Sequence, residues 1–391
     1  MIDAIVAGHL CVDVIPTIDK EAASSASFLT PGRLTEVGPA VLSTGGAVSN
    51  TGLALHRLGV DVRLVARVGD DQIAELTRNL LRRHGAHLAD ALRVGLGEPS
   101  SYSVVINPPG VDRTFLHCTG TNDTFGPEDI DAELVSDARL FHFGYPPLMR
   151  RMYGDSGTAL ASLLETAQNA GATVSLDMAM PDPAKPSGRA DWPGILVRAL
   201  PHVHLFVPSV EELLYMLRRS RYQELVRDVG QAAMLNEITA AEASSLARAA
   251  MALGARVAML KMGDRGIYLR TADDLGDMGR AGPADRANWS GRELWVPCFE
   301  VTVNGTVGAG DATIAGFLAG LLKGETIERS LTSAVAVGAC CVETPDATSG
   351  IRTWEATQER IASGWERLSD GPEDDAWAFR NGLWCGPDDQ A

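Results

Sequence analysis

The stretch Thr306-Val-Gly-Ala-Gly-Asp-Ala-Thr313 runs straight into Ile314-Ala-Gly-Phe-Leu-Ala-Gly-Leu-Leu322. Its small residues permit a tight turn at Gly308, and the apolar run reads as a buried helix. The first N–H groups of such a helix, from Ala309, Gly310 and Asp311, lack intrahelical partners and favour an anion. Phosphate binding alone gives no reason to put a carboxylate there. The arrangement makes sense if Asp311 takes a proton from a hydroxyl while the amides hold charge developing on a transferred phosphoryl group.

Other readings of the turn fare worse. Gly308-Ala-Gly310 partly matches the dinucleotide pattern G-x-G-x-x-G, but position 313 is Thr. The helix is followed by more helical pattern over 327–342, with no strand bearing a ribose-binding acid. No G-x-x-x-x-G-K-[ST] loop occurs in the chain. A purely structural turn capped by Asp311 is the remaining alternative. A second feature is Gly45-Gly-Ala-Val-Ser-Asn50. Paired glycines before a helix let a ligand approach the backbone, and Asn50 falls one turn inside.

The 391 residues suffice for one large domain with a smaller appendage, and 45% are hydrophobic against 21% charged. A formal charge of −16 argues against nucleic acid or an acidic membrane as partner. No apolar run is long enough to span a bilayer. The start, Met1-Ile-Asp-Ala-Ile-Val-Ala-Gly8, has no basic leader region and reads as a first strand. The 6 cysteines form no C-x-x-C pair, and vicinal Cys340 and Cys341 sit in an apolar helical stretch as packing residues. A reducing cytoplasmic location is expected.

Residues 2–7 and 62–68 read as strands, 48–58 and 71–84 as helices. Tyr102-Ser-Val-Val-Ile-Asn107 and Arg113-Thr-Phe-Leu-His-Cys118 read as a hairpin. With the turn-rich stretch 10–42 it could form a small sheet over a larger body. From 139 onward, strands at 139–143, 172–176, 203–207 and 256–261 alternate with helices at 156–170, 192–200 and 211–218. Thr239-Ala-Ala-Glu242 is a capping box opening a further helix. This rhythm predicts a parallel sheet covered on both faces. Segments 219–238 and 271–291 read as surface insertions, and 369–391 as an acidic tail packed loosely on the body. His142 and His204 read as satisfied core histidines. Trp192 and Trp295 read as packing residues.

Gly45-Gly46…Asn50, Ala54-Leu-His-Arg-Leu-Gly59 and Val68-Gly-Asp-Asp71 together resemble the N-terminal signature of the ribokinase-type (PfkB-type) carbohydrate kinases. Val307-Gly-Ala-Gly-Asp-Ala312 resembles their C-terminal signature, and Lys261-Met-Gly-Asp-Arg-Gly266 their nucleotide-side strand and turn. The resemblance covers about residues 1–365. It implies an α/β fold, a doubly wound, mostly parallel sheet with a small β-sheet lid. The kinase domain would be 1–368, with lid segments about 10–42 and 96–120, and a tail at 369–391.

The resemblance further implies ATP and magnesium as cofactors and a sugar or sugar-like hydroxyl as acceptor. Asp311 would be the base, and Gly308, Ala309 and Gly310 the anion-binding turn. Asp13, Gly45, Gly46 and Asn50 would meet the substrate. Lys261, Gly263, Gly266 and Thr306 would line the nucleotide site. Glu212, in Ser209-Val-Glu-Glu212, would help organise the metal. Arg113 stands where some relatives carry a basic lid residue, and Asp177, at a strand end, is a secondary candidate for the cleft. Relatives exist with and without pairing of lids, so a homodimer through the lid stays open.

Some positions depart from the family. Gly305 replaces an acid that contributes to a monovalent-cation site, so potassium activation is not expected. Ser209 replaces an Asn of the metal-side motif, and Ala74 a Gly. Few basic residues lie in 10–50, which disfavours an already phosphorylated acceptor. The alternatives are a nucleoside kinase of the same fold, or a catalytically weak sensor of nucleotide or sugar.

Overall fold

In the computed structural model, residues 1–24, 28–109, 114–369 and 371–390 are described. Arg113 lies outside them. In chain order the strands are β1 (Ile2–Gly8), β2 (Cys11–Thr17), β3 (Gly38–Gly45), β4 (Val62–Val65), β5 (Arg67–Val68), β6 (Arg93–Val94), β7 (Tyr102–Ile106) and β8 (Thr114–Cys118). They continue as β9 (Ala138–Gly144), β10 (Thr173–Leu176), β11 (Leu205–Phe206), β12 (Val257–Lys261), β13 (Ile267–Thr271), β14 (Glu293–Val296), β15 (Ala378–Arg380) and β16 (Leu383–Cys385).

Ten of them form one sheet in the order β15-β16-β14-β13-β12-β11-β10-β9-β1-β4. The strands from β12 to β4 are parallel; β13, β14, β16 and β15 add an antiparallel edge. Both faces are covered, so the parallel strands are apolar nearly throughout. Val6, Val257 and Met259 face the helices Ala47–Arg57, Ala309–Leu322 and Ile327–Val342. Ile5, Ala258 and Leu260 face the helices Thr158–Asn169, Val210–Leu217 and Ala240–Ala252. This is the doubly wound sheet expected from the alternating pattern.

A second sheet, β3-β2-β7-β8, projects from the end of β1 and forms the lid. Asn122 fixes its root: the side chain accepts from Leu10 N and donates to Leu10 O at 3.1 and 3.0 Å.

Three expectations need correction. Segment 219–238 holds a helix, Arg219–Val229, whose Tyr222 and Leu225 are buried. Segment 271–291 is packed, not a surface insertion. Leu275, Met278 and Ala281 enter the core, and the Arg280 guanidinium donates to the carbonyls of Val135, Ala138 and Ala170. The chain end is not loose either. β15 and β16 form a hairpin that pairs with β14, and Trp377 packs edge-on against Trp295 and Tyr268. Trp192 and Trp295 are fully buried, as expected of packing residues.

Candidate active site

After β1 the chain passes to β4 on one side and later to β9 on the other. The order of a doubly wound sheet reverses there, and a crevice opens beyond the strand ends. Gly8 and Gly144 are register partners at that point, and Tyr145 follows immediately. Tyr145 has φ 66°, a left-handed conformation uncommon outside glycine, and it turns the chain into Pro146.

Asp311 lies above this crevice in the first turn of the helix Ala309–Leu322. Gly308 opens the helix with φ +71°, and a Cβ there would stand 2.5 Å from that of Ala347, so only glycine fits. The N–H groups of Gly310 and Asp311 have no acceptor among the described residues; that of Ala309 makes a long 3.4 Å contact with Thr306 O. Two open amides at a helix start form a site for an anion.

The Asp311 carboxylate is 2% exposed. It accepts from the Tyr145 hydroxyl at 2.7 Å, Asn50 Nδ2 at 3.0 Å and Thr51 Oγ1 at 3.2 Å. Burial pushes its pKa above the ordinary carboxylate range; the Tyr145 and Asn50 donors, the Lys261 charge and Thr51 hold it back. A carboxylate raised in this way is a better proton acceptor than an exposed one. Burial and the nearby Asp311 charge keep the Tyr145 phenol protonated, as a donor.

Lys261 ends β12, and its Nζ meets Asp177 Oδ1 at 2.5 Å just beyond β10. A Cβ on Gly310 would lie 3.8 Å from that Nζ, which sets the ammonium beside the open amides. Burial disfavours the charged lysine, but Asp177 and Glu212 outweigh it and hold Lys261 protonated. Burial also pushes Asp177 up, against the pull of Lys261.

Two cavities flank the turn. One, of about 360 Å³, has apolar walls of Phe299, Val301, Val335 and Ala339. Lys261, Gly263, Gly266, Thr306, Ala309 and Gly310 line it as well. The other, also about 360 Å³, lies between lid and body and carries Asp13, Ser43, Thr44, Asn50, Asn107 and Thr348. Asp13 presses on the backbone of Gly45, where a Cβ would meet its Oδ2 at 2.2 Å. Gly46 caps the helix Ala47–Arg57.

Two assignments look different in the fold. Asn50 spends its amide N–H on Asp311 and keeps a buried Oδ1 with no partner among the described residues. Glu212 closes a capping box with Ser209, accepting from Ser209 N at 2.7 Å through Oε2. Its other oxygen has no hydrogen-bond partner among the described residues. No group of three or more His, Cys, Asp or Glu there could hold a metal ion by itself. That donor set fits a magnesium ion that keeps its water and binds mainly to phosphate oxygens.

Sequence reasoning did not foresee the contacts of Tyr145 and Thr51 with Asp311, or that of Asp177 with Lys261. It also passed over His9, which is buried with neither ring nitrogen bonded among the described residues, 5.4 Å from the His117 ring. Burial lowers the His9 pKa to about 3, so the ring is neutral. His204 is satisfied, its Nδ1 accepting from Val174 N at 2.8 Å. His142 is only half so: Nδ1 pairs with Ser175 and Nε2 has no partner among the described residues.

Residues 1–354 match the family described as pfkB family carbohydrate kinase. The chain belongs to the pfkB carbohydrate kinases. Over 341 residues it is 27% identical to the ATP-dependent ribose-1-phosphate kinase of Halopiger xanaduensis, spanning 87% of this chain and 91% of that protein. Its fold is similar to that of Arabidopsis thaliana ribokinase complexed with ribose and ATP, at TM-score 0.67 and 17% identity over 92% of this chain and 98% of that one. It is also similar to Xylella fastidiosa fructokinase with bound ATP, at TM-score 0.66 and 19% identity over the same shares of 92% and 98%. This carbohydrate kinase is therefore a phosphotransferase with an alcohol acceptor, within the sugar and nucleoside kinases of the ribokinase fold. No helix among the described residues is long and apolar enough to cross a membrane.

Proposed function

We propose that this kinase transfers the γ-phosphoryl group of ATP to a hydroxyl of a sugar or sugar-like molecule, with Asp311 as base. One observation carries the reading. A buried carboxylate and two open amides share one helical turn, between an apolar cavity and a second one whose wall carries Asp13, Ser43, Thr44 and Asn50 among apolar residues.

Bound ATP with magnesium supplies the phosphoryl group and neutralises part of its charge. The chain's residues do the rest. The apolar cavity takes the base, and the amides of Gly310 and Asp311 with Lys261 hold the phosphate oxygens. Asp13 and Asn50 Oδ1 accept hydrogen bonds from acceptor hydroxyls. As the acceptor oxygen bonds to the γ-phosphorus and the bond to the β-phosphate oxygen breaks, the hydroxyl proton passes to Asp311. Such transfer is mostly positioning and electrostatic stabilisation, which suits a rigid turn of this kind. The lid sheet excludes water as competing acceptor. Its exposed Leu42 and Leu116, on the face opposite the cavity that Val41 and Phe115 line, are the surface through which a homodimer would form.

The acceptor cavity has no Lys or Arg among its described lining residues, which favours an unphosphorylated acceptor over a sugar phosphate. An ADP-release screen over pentoses, hexoses, keto-sugar acids, nucleosides and ribose 1-phosphate tests both parts. Release with a neutral sugar supports the reading. Release with ribose 1-phosphate alone refutes the acceptor class, and release with none refutes the kinase assignment in favour of a sensor.

A further inference from the structure

Cys341 lies in the buried second half of the helix Ile327–Val342, and its thiol stands 3.4 Å from two carbonyl oxygens, Val307 O and Ala347 O. The two carbonyls belong to different loops. Val307 immediately precedes Gly308, and Ala347 is the residue against which the Gly308 backbone rests. One S–H shared between these carbonyls therefore ties the loop that enters the anion-binding turn to the loop that supports it. Burial, with the Asp311 and Asp346 charges, pushes the thiol to about 12, so it stays a donor.

The monovalent-cation site implied by the family resemblance does not fit these loops. Gly305 supplies no carboxylate, and a Cβ there would stand 2.8 Å from Pro345 Cα and 2.9 Å from Thr344 O. Asp346 spends its carboxylate within its own loop, accepting from the Thr348 and Ser349 N–H groups at 2.9 and 2.8 Å and from the Ser349 hydroxyl at 2.5 Å. Asn304 turns its amide N–H to Glu343 O. Two carbonyls of these loops, those of Val307 and Ala347, face a thiol. Resting on the kinase reading above, we propose that Cys341 is a positioning residue for phosphoryl transfer: its neutral thiol joins the two loops at the anion-binding turn, and turnover needs no monovalent cation.

A thiol is a weak donor, and the effect is one of placement. Small displacements of a reacting geometry cost much more rate than they cost stability. The test compares wild type, Cys341→Ser and Cys341→Ala by ADP release, in tetramethylammonium chloride and in KCl at equal ionic strength. Wild type changes by less than about twofold between the salts, while Cys341→Ala loses about tenfold in kcat with both KM values near wild type. Cys341→Ser, which keeps a donor, recovers most of the rate. Tenfold activation of wild type by potassium overturns the proposal, as does a Cys341→Ala enzyme equal to wild type. Should the alanine variant unfold, the salt comparison on wild type and Cys341→Ser decides. Amide hydrogen exchange reads the tether without turnover: segment 305–311 exchanges faster in Cys341→Ala and as in wild type in Cys341→Ser. Unchanged exchange in Cys341→Ala refutes the tether. The expected exchange pattern with no ADP release from any acceptor refutes the kinase reading alone.

Discussion

Tyr145 and Asp311 are 166 positions apart in the chain, and the phenol hydroxyl donates to the Asp311 carboxylate at 2.7 Å. The bond joins the end of β9 to the first turn of the helix Ala309–Leu322 across the crevice of the sheet. Burial raises the basicity of the carboxylate, and this bond restrains the rise, because a donor to the ionised form holds its pKa down.

Replacing Tyr145 by Phe removes that restraint, and Asp311 rises further. A base works only when ionised, so activity falls as pH drops through its pKa, and a higher pKa brings the fall at higher pH. The acid limb of the kcat profile of Tyr145→Phe therefore shifts alkaline, with most of the rate recovered at high pH. An unmoved or acid-shifted limb contradicts this.

The Lys261–Asp177 pair is buried, with side-chain exposures of 13% and 1%. Lys261→Met leaves Asp177 buried without a counter-charge and costs about 3–5 kcal/mol in urea unfolding. Adding Asp177→Asn restores much of that stability but no turnover, because the ammonium beside Gly310 is still missing. Turnover restored by the double substitution would remove Lys261 from the mechanism.

Asp13→Asn takes a charged acceptor out of the lid-side cavity. Acceptor KM rises by about 10–100-fold while ATP KM stays near wild type. Equal rises in both constants would show that Asp13 does not face the acceptor.

Trp377 fixes the chain-end hairpin to Trp295 and Tyr268. Trp377→Ala costs about 3–5 kcal/mol of stability, read by chemical unfolding, and leaves kcat near wild type at low temperature. A large loss of kcat in the folded variant would tie the chain end to catalysis.

The alternation of β and α elements was legible because strands buried on both faces and helices with one apolar stripe carry different periods. The hairpin Ala378–Arg380 with Leu383–Cys385 was not. Three-residue strands show no period, and this pair depends on β14, far back in the chain. The helix Arg219–Val229 was hidden by its arginines, though Tyr222 and Leu225 mark its buried side. At the site, Asp311, Gly308 and Asn50 were readable because each lies in a short local motif. Tyr145 and the Lys261–Asp177 contact were not, since they arise where separate strand ends meet. Cys341 passed as packing because nothing in its neighbours foretells two carbonyls converging on the thiol.

The proposed mechanism stands or falls with Asp311 taking the proton of the acceptor hydroxyl. The most direct measurement compares ADP release by Asp311→Asn with wild type under saturating ATP and the best acceptor of the screen, alongside ATP affinity by calorimetry. With Asp311 as base, kcat falls by about 10²–10⁴-fold while the ATP dissociation constant stays within a few-fold. Turnover at the wild-type rate in the folded, ATP-binding variant would contradict it.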